Sequence, residues 1–485
     1  MTDDGLQWNS TFEEEIQTTP SNLTDDAEIQ LNVSGIMGEQ SINLTTDNEL
    51  NNEAEIDSDS TLDPPTDPPT ASSTLSIMDD FSNPYTLSFS IESNLERSRF
   101  GSSVAISSDG KVLAIGATDA RNEFGDATGA VYLYGISSAG GSGVSQTFLQ
   151  AIHGESAGDF FGGAIAMSEY GNHIVIGSRA EGGLVGAMRV YERKNPSIVN
   201  DWTPMGDAIV GETPSGQAGW SVAISGDGNI VAMGAPKGGN GGGAVEAFKY
   251  GLNSSLALVW LPHGSVVMGP ALDEAAGYSI SLSHNGRIIA IGSPKASNPI
   301  GAPFSGKTSV YSFTGIGWMK VSEIFGDAAS DIDGTSVALS GDGKVLVVGG
   351  KGRDENSLSN VGYCRIFEWK DTPFGFSYSL IGEIAEERIG YFVAISPDGN
   401  VVSCGGVNGN LNGVANTGTV RVFNRGTLQE STIWPRGDTI STWEASSFGS
   451  SIALSSDGRY LVVGAPAWSG SSGDLNGAVQ VFNFY

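Results

Sequence analysis

Residues 218–250 read AGWSVAISGDGNIVAMGAPKGGNGGGAVEAFKY, and this stretch decides the fold. Two apolar runs, Ser221–Ser225 and Ile230–Ala235, flank Gly226-Asp227-Gly228. Asp-Gly between β-prone runs is a hairpin signal. A Gly/Asn-rich loop follows Pro236, and then a third β-prone run, Ala244–Tyr250. Upstream, Trp202–Gly211 (WTPMGDAIVG) supplies a fourth. Further outward the pattern recurs: the glycine of a Ser-x-Asp/Asn-Gly turn stands at 110, 228, 286, 343, 399 and 458, with Gly171 filling the remaining place at spacings of 56 to 61 residues. A fixed period of this size marks stacked structural units.

Seven units of four short strands predict an all-β fold, a seven-bladed β-propeller. The first strands carry small residues (Ala105, Ala164, Ala223, Ala338, Ala394, Ala453), as expected where seven strands crowd one axis. Larger aromatics fall in the third and fourth strands, where diverging blades leave more volume to fill. The chain ends in a third strand, Val479–Phe484, while Thr86–Ile91 (TLSFSI) is an unmatched fourth strand ahead of the first unit. Joined, the two complete the last blade and close the ring.

The 485 residues carry 55 Asp and Glu against 24 Lys and Arg, a formal charge of -31. Such a chain repels phosphate backbones and anionic lipid, so neither nucleic acid nor a membrane surface is an expected partner. No apolar run reaches the roughly 18 residues that span a bilayer, and no direct membrane insertion is expected. Residues 1–80 hold 19 of the acids and no Lys or Arg. High charge with few aromatics predicts a disordered acidic tail over 1–85, closed by the Pro/Thr-rich spacer Leu62–Thr74, with the propeller over 86–485. The first twenty residues have neither the basic nor the apolar region of a secretory signal. Asn9, Asn22, Asn32, Asn43 and Asn253 each begin an N-x-Ser/Thr sequon, which suits a glycoprotein at the cell surface cut from a longer precursor; otherwise a cytoplasmic protein is expected.

Phe100-Gly101, Phe161-Gly162 and Phe448-Gly449, combined with Gly116-Ala117, Gly234-Ala235-Pro236, Gly292-Ser293-Pro294 and Gly464-Ala465-Pro466, resemble the FG-GAP repeats of the integrin alpha-subunit propeller. The resemblance spans 86–485. It implies a cell-adhesion or ligand-binding platform that recognises its partner with the face carrying the loops between strands two and three and between strands four and one. Family members often hold calcium in a D-x-D-x-D-G-x-x-D loop, because a hard cation needs several oxygens at about 2.3–2.6 Å. Here that loop is cut down to turns such as Ser108-Asp109-Gly110 and Gly341-Asp342-Gly343. One carboxylate cannot surround calcium; the Asp is expected to bond the local backbone and the Gly to take positive φ. No metal or cofactor is therefore expected, and Asp119, Asn122, Glu123 and Asp126 form the remaining calcium candidate. The Trp-Asp ending of WD repeats is absent: Tyr134-Gly135, Tyr191-Glu192 and Phe423-Asn424 stand there.

His153, His173, His263 and His284 fall at unrelated places in the repeat, without the spacing that zinc or a triad requires. First strands of Ala, Ser, Ile and Val offer no acid–base pair to a central channel, so a non-enzymatic protein is expected. An enzyme with its site in the channel and an intracellular protein–protein scaffold are the alternatives. Cys364 stands where the first unit has Val131, and Cys404 where it has Ile115. Both read as buried free thiols packing as small hydrophobes, with a disulfide between them as the alternative. Arg436-Gly437-Asp438 spells an integrin-ligand tripeptide, yet it overlays Trp202–Ile209 and reads as part of a fourth strand.

Arg179, Lys237, Lys295 and Lys351 follow the Gly-Ala/Ser-Pro corner in four consecutive units, with Arg121 nearby in the first. Two readings stand. Either these bases pair with the acids of adjacent four-to-one loops (Glu155, Glu212, Asp273, Glu274, Asp327), or they form an arc for an anionic ligand, a protein or an anionic polysaccharide, which the acidic tail itself would screen.

Overall fold

The computed structural model describes residues 71–72, 85–139, 143–354, 361–372, 375–385, 389–407, 417–425, 433–435, 440, 446–469 and 475–484. Seven antiparallel sheets follow one another along the chain, each built on a meander of four successive strands apart from the last, with a further two-residue strand in blade 2 and, as Val267–Met268, in blade 3. Blade 3 is representative, with strands Ser221–Ile224, Ile230–Ala235, Ala244–Leu252 and Leu258–Pro262. First strands begin the other blades at Phe100, Phe161, Ser279, Asp333, Phe392 and Ser451. Each first strand lies against the first strands of both neighbouring blades, all the way round, so the fold is the seven-bladed propeller with its first strands innermost.

Closure follows the expected route. Tyr85–Glu92 pairs antiparallel with Ala478–Phe484 along its whole length and makes the outer strand of blade 7. Ala71–Ser72 adds two further pairs beyond it. The rest of the tail expected to be disordered over 1–85 lies outside the described residues. In blade 2 the outer strand is broken in two, Trp202–Pro204 and Ile209–Val210, both pairing with Ala187–Arg193. Gly206, at φ +76°, turns the chain between them.

The Ser-x-Asp/Asn-Gly turns are built from their own side chains. In all seven, the buried Ser hydroxyl accepts the backbone N–H five residues on, at 2.9–3.0 Å. Asp227 accepts from Ser225 Oγ at 2.6 Å and from the Asn229 N–H at 3.0 Å, so its carboxylate is spent on the turn. The residues between Ser and Asp link blade to blade. The N–H of Ser108 donates to Glu169, Glu169 to Gly226, Gly226 to His284, His284 to Gly341, Gly341 to Pro397, and Ser456 back to Ser108, at 2.8–3.0 Å. Pro397 has no N–H, and Asp398 donates to Ser456 at 3.4 Å instead. A backbone circuit thus ties the hairpin end of the ring.

Seams at the other end use the Phe-Gly pairs. Phe100, Phe161 and Phe448 are fully buried. Each bridges a third-strand glycine of the preceding blade, Gly477, Gly129 and Gly418 respectively. A Cβ on Gly129 would stand 2.3 Å from the Phe161 carbonyl, so only glycine admits this approach.

The free-thiol reading of the cysteines is corrected. Cys364 and Cys404, both fully buried, are paired as a disulfide across the seam between blades 5 and 6, their Cα atoms 6.5 Å apart. At the equivalent positions of the first seam, Val131 and Ile176 share one hydrophobic cluster. The repeat turns these two positions toward each other, so cysteines placed at both must meet. Arg436-Gly437-Asp438 lies outside the described residues; on either side of it, Ile433–Pro435 pairs with Phe423–Arg425 and Ile440 bridges Val420.

Candidate functional site

A four-stranded meander puts the two-to-three and four-to-one loops at one end of the ring and the hairpins at the other. At the loop end the chain enters each first strand through an x-Gly pair, Phe-Gly in blades 1, 2 and 7, and the residue after its glycine opens the inner rim. Round the ring this residue is Ser102, Gly163, Trp220, Tyr278, Thr335, Tyr391 and Ser450. The residue before the Phe position takes a left-handed turn at φ +53° to +58° in Arg99, Phe160, Gln217, Ala275, Ile332 and Ser447. Side chains other than glycine hold this conformation only where their surroundings impose it, so the rim is a fixed shape.

The five bases fall into two local environments. Arg179 and Lys351 directly follow their Gly-Ser and Gly-Gly corners, whereas Lys237 and Lys295 stand one residue further, after a proline, with exposed side chains. Arg121 is exposed too and donates to the Gly125 carbonyl of its own loop at 2.5 Å. Arg179 and Lys351 instead lie on aromatic rings. The Arg179 guanidinium carbon is 4.2 Å from the centre of the Phe160 ring and 5.2 Å from that of Trp220. Trp220 in turn meets Tyr278 at 5.3 Å. The Lys351 ammonium is 5.2 Å from the Tyr391 ring centre. Gly163 makes room for this arrangement, since a Cβ there would come within 3.1 Å of Arg179 Nη1. Burial lowers the pKa of both Arg179 and Lys351 from their ordinary values. Asp119, itself bound to Arg99 at 3.0 Å, pulls Arg179 back up.

Pairing with the four-to-one loop acids exists, but with other bases. Glu155 binds Arg189 at 3.0 Å, Glu274 binds Lys307 at 2.9 Å, and Asp327 binds Arg365. All three bases sit in third strands and were not singled out in the sequence. Glu212 has no such base among the described residues: burial, and then the Glu212 charge, raise Glu246 to about 7. Among the described residues, none of Arg121, Arg179, Lys237, Lys295 and Lys351 takes part in an ion pair.

A second polar feature escaped the sequence reading. Asp333 occupies the Phe position of blade 5 and is wholly buried. Tyr363 Oη donates to it at 3.0 Å and Thr308 Oγ1 at 3.2 Å, and Arg365 Nη1 lies 3.8 Å away. Burial raises Asp333 to about 7 even against Arg365. Lys307 and Tyr363 stand where blades 1 to 3 have Ala130, Ala187 and Ala244. Three departures from the repeat in adjacent units were the available signal.

Asn122 Oδ1 in the calcium candidate loop accepts the N–H groups of Phe124 and Asp126, both at 3.0 Å. Among the described residues no group of three or more His, Cys, Asp or Glu is placed to hold a metal ion. The histidines are scattered: His263 stacks on Phe313 at 3.9 Å, and His284 Nδ1 lies 3.5 Å from Glu169 Oε2 at the hairpin end. Asn253 lies at a hairpin tip of blade 3, where its Oδ1 accepts from Ser255 and Ala257 N–H groups at 2.9 and 3.0 Å. Asn9, Asn22, Asn32 and Asn43 lie outside the described residues. Among those described, no helix is long and apolar enough to cross a membrane. Comparison of the chain with protein-family models and with curated proteins found no match.

Proposed function

We propose that the propeller is a non-enzymatic binding platform, as its FG-GAP resemblance implies, and that it takes an anionic protein or polysaccharide at the inner rim of its loop end. One observation carries the reading. Arg179 and Lys351 rest on aromatic rings with no carboxylate partner among the described residues, while Arg189, Lys307 and Arg365 are each matched to an acid. In a chain of charge -31, a half-buried base without an internal partner is available to an external one. The Cys364–Cys404 pair and the sequons support an oxidising, extracellular setting.

The test is retention of the full chain on immobilised heparin-like and alginate-like polymers. Binding is expected at low salt, and it should fade as the Debye length shrinks from about 10 Å at 0.1 M to about 3 Å at 1 M. The Arg179→Ala/Lys351→Ala variant should not be retained. No retention of the wild-type chain, or unchanged retention of the variant, overturns the reading.

A further inference from the structure

We infer that Arg179, Trp220 and Tyr278 form a subsite for one carboxylate-bearing sugar, a hexuronate residue of a polysaccharide chain; the inference rests on the binding-platform reading and narrows it. Three consecutive blades contribute one residue each. Trp220 and Tyr278 occupy the same rim position of blades 3 and 4, and Arg179 of blade 2 reaches them over Gly163. The Tyr278 hydroxyl and the guanidinium lie close enough to interact electrostatically.

The donors of this corner are open. Among the described residues, neither the Arg179 guanidinium nor Trp220 Nε1 nor Tyr278 Oη has a hydrogen-bond acceptor, and none is sealed from solvent. Trp260 and Trp318, exposed to a similar degree, donate to the carbonyls of Met205 at 2.7 Å and His263 at 2.9 Å. Half-buried donors left free at one spot call for acceptors from outside.

The chemistry of the three groups selects the ligand. A planar guanidinium matches a carboxylate with two parallel N–H···O bonds. Aromatic rings pack against the apolar C–H surface of a pyranose, while the indole N–H and phenol O–H reach its hydroxyls. Arg179 is the one guanidinium of this corner without an ion pair, since its neighbour Arg99 is bound to Asp119, and the protein as a whole carries a charge of -31. That field disfavours densely sulfated chains and suits one charge per sugar. An acidic peptide could satisfy the guanidinium and, with its carbonyls, the indole and phenol donors, but it lacks the C–H face of a pyranose to pack on the two rings.

Isothermal titration calorimetry on the full chain decides the matter, with four probes: an alginate-derived hexuronate oligomer, its carboxyl methyl ester, a heparin-derived oligomer and polyglutamate. The hexuronate should bind, and the ester should bind about ten- to hundredfold more weakly. Arg179→Lys keeps the charge but not the paired N–H groups, and should lose about the same factor. Tyr278→Phe removes one oxygen and leaves the packing intact, so it should lose several-fold without a change in thermal midpoint. Binding of heparin or polyglutamate without the hexuronate leaves the platform standing and overturns the subsite. Equal binding of acid and ester, or unchanged hexuronate affinity in both Arg179→Lys and Tyr278→Phe, also overturns it. Binding of none of the probes overturns both readings.

Discussion

Removing the strand Tyr85–Glu92 should cost the propeller its stability, while removing residues 1–80 should not. The strand buries Phe89 and Ile91 in the core shared with blade 1 and Tyr85 in the core shared with blade 6, and Tyr85 Oη donates to the Gly458 carbonyl at 2.9 Å. Each large apolar side chain withdrawn from water contributes about 1.5–3 kcal/mol, so the three together contribute roughly 5–9 kcal/mol. Whole domains are stable by only about 5–15 kcal/mol. Deletion would also leave Ala478–Phe484 as an unpaired edge, a template for aggregation. A chain lacking residues 1–92 is therefore expected to be aggregated, or to melt far below the full protein, by circular dichroism and size-exclusion chromatography. Loss of residues 1–80 removes, among the described residues, the two-residue pairing at Ala71–Ser72 and should leave the midpoint within a few degrees. Equal midpoints for the two truncations would refute the closure argument.

Asp333 titrates at about 7 in the fold against about 3.9 in the unfolded chain, so its protonated form is the one the fold prefers. Its contribution is complete below about pH 4 and is lost as pH rises toward 7, by at most about 4 kcal/mol; thermal midpoints of wild type and Asp333→Asn should diverge over that window, and parallel profiles would remove the argument. The Cys364–Cys404 link closes a loop across a sequence separation of 40, and chain entropy assigns it about 4 kcal/mol. Reductant should lower the wild-type midpoint but not that of Cys364→Val/Cys404→Ile, which restores the residues of the first repeat; equal sensitivity would count against the link. Moving from chelator to millimolar calcium should leave the midpoint unchanged, and a clear rise would reveal a bound cation.

The fold was legible because each blade repeats the same local chemistry. The positive-φ glycines of the seven hairpin turns and of the seams report backbone requirements that other residues meet poorly, and those survive in sequence. The site was legible only in part. Sequence placed Arg179, Lys237, Lys295 and Lys351 together by their distance from a corner, but a proline after the corner moves the base one position on and turns it out to solvent. Nor did it pair the loop acids with Arg189, Lys307 and Arg365, because those contacts cross a seam and depend on which faces of neighbouring sheets meet. The cysteines are instructive for the opposite reason. Their two positions face each other in every seam, so superposing the repeats contained the pairing once strand two and strand three of adjacent blades were set side by side.

Repeat proteins separate what the fold needs from what a ligand can use, and the rim shows where the division runs. At the Phe position the seam closes on the preceding blade; Phe, Ala or Ile fills it in six blades, and the buried charge in the remaining one demands compensation. Asp333 comes with Thr308, Tyr363 and Arg365 around it, and Lys307 in the same seam comes with Glu274. Two residues later the constraint has gone. Ser102, Gly163, Trp220, Tyr278, Thr335, Tyr391 and Ser450 range from no side chain to the largest one at a single structural position, while the order of the four main strands behind them stays the same. A position that tolerates this range has no packing role to fulfil, which leaves it free to carry recognition. Arg179 depends on that freedom: its place between Phe160 and Trp220 exists because the rim residue of its own blade is glycine and that of the next is tryptophan.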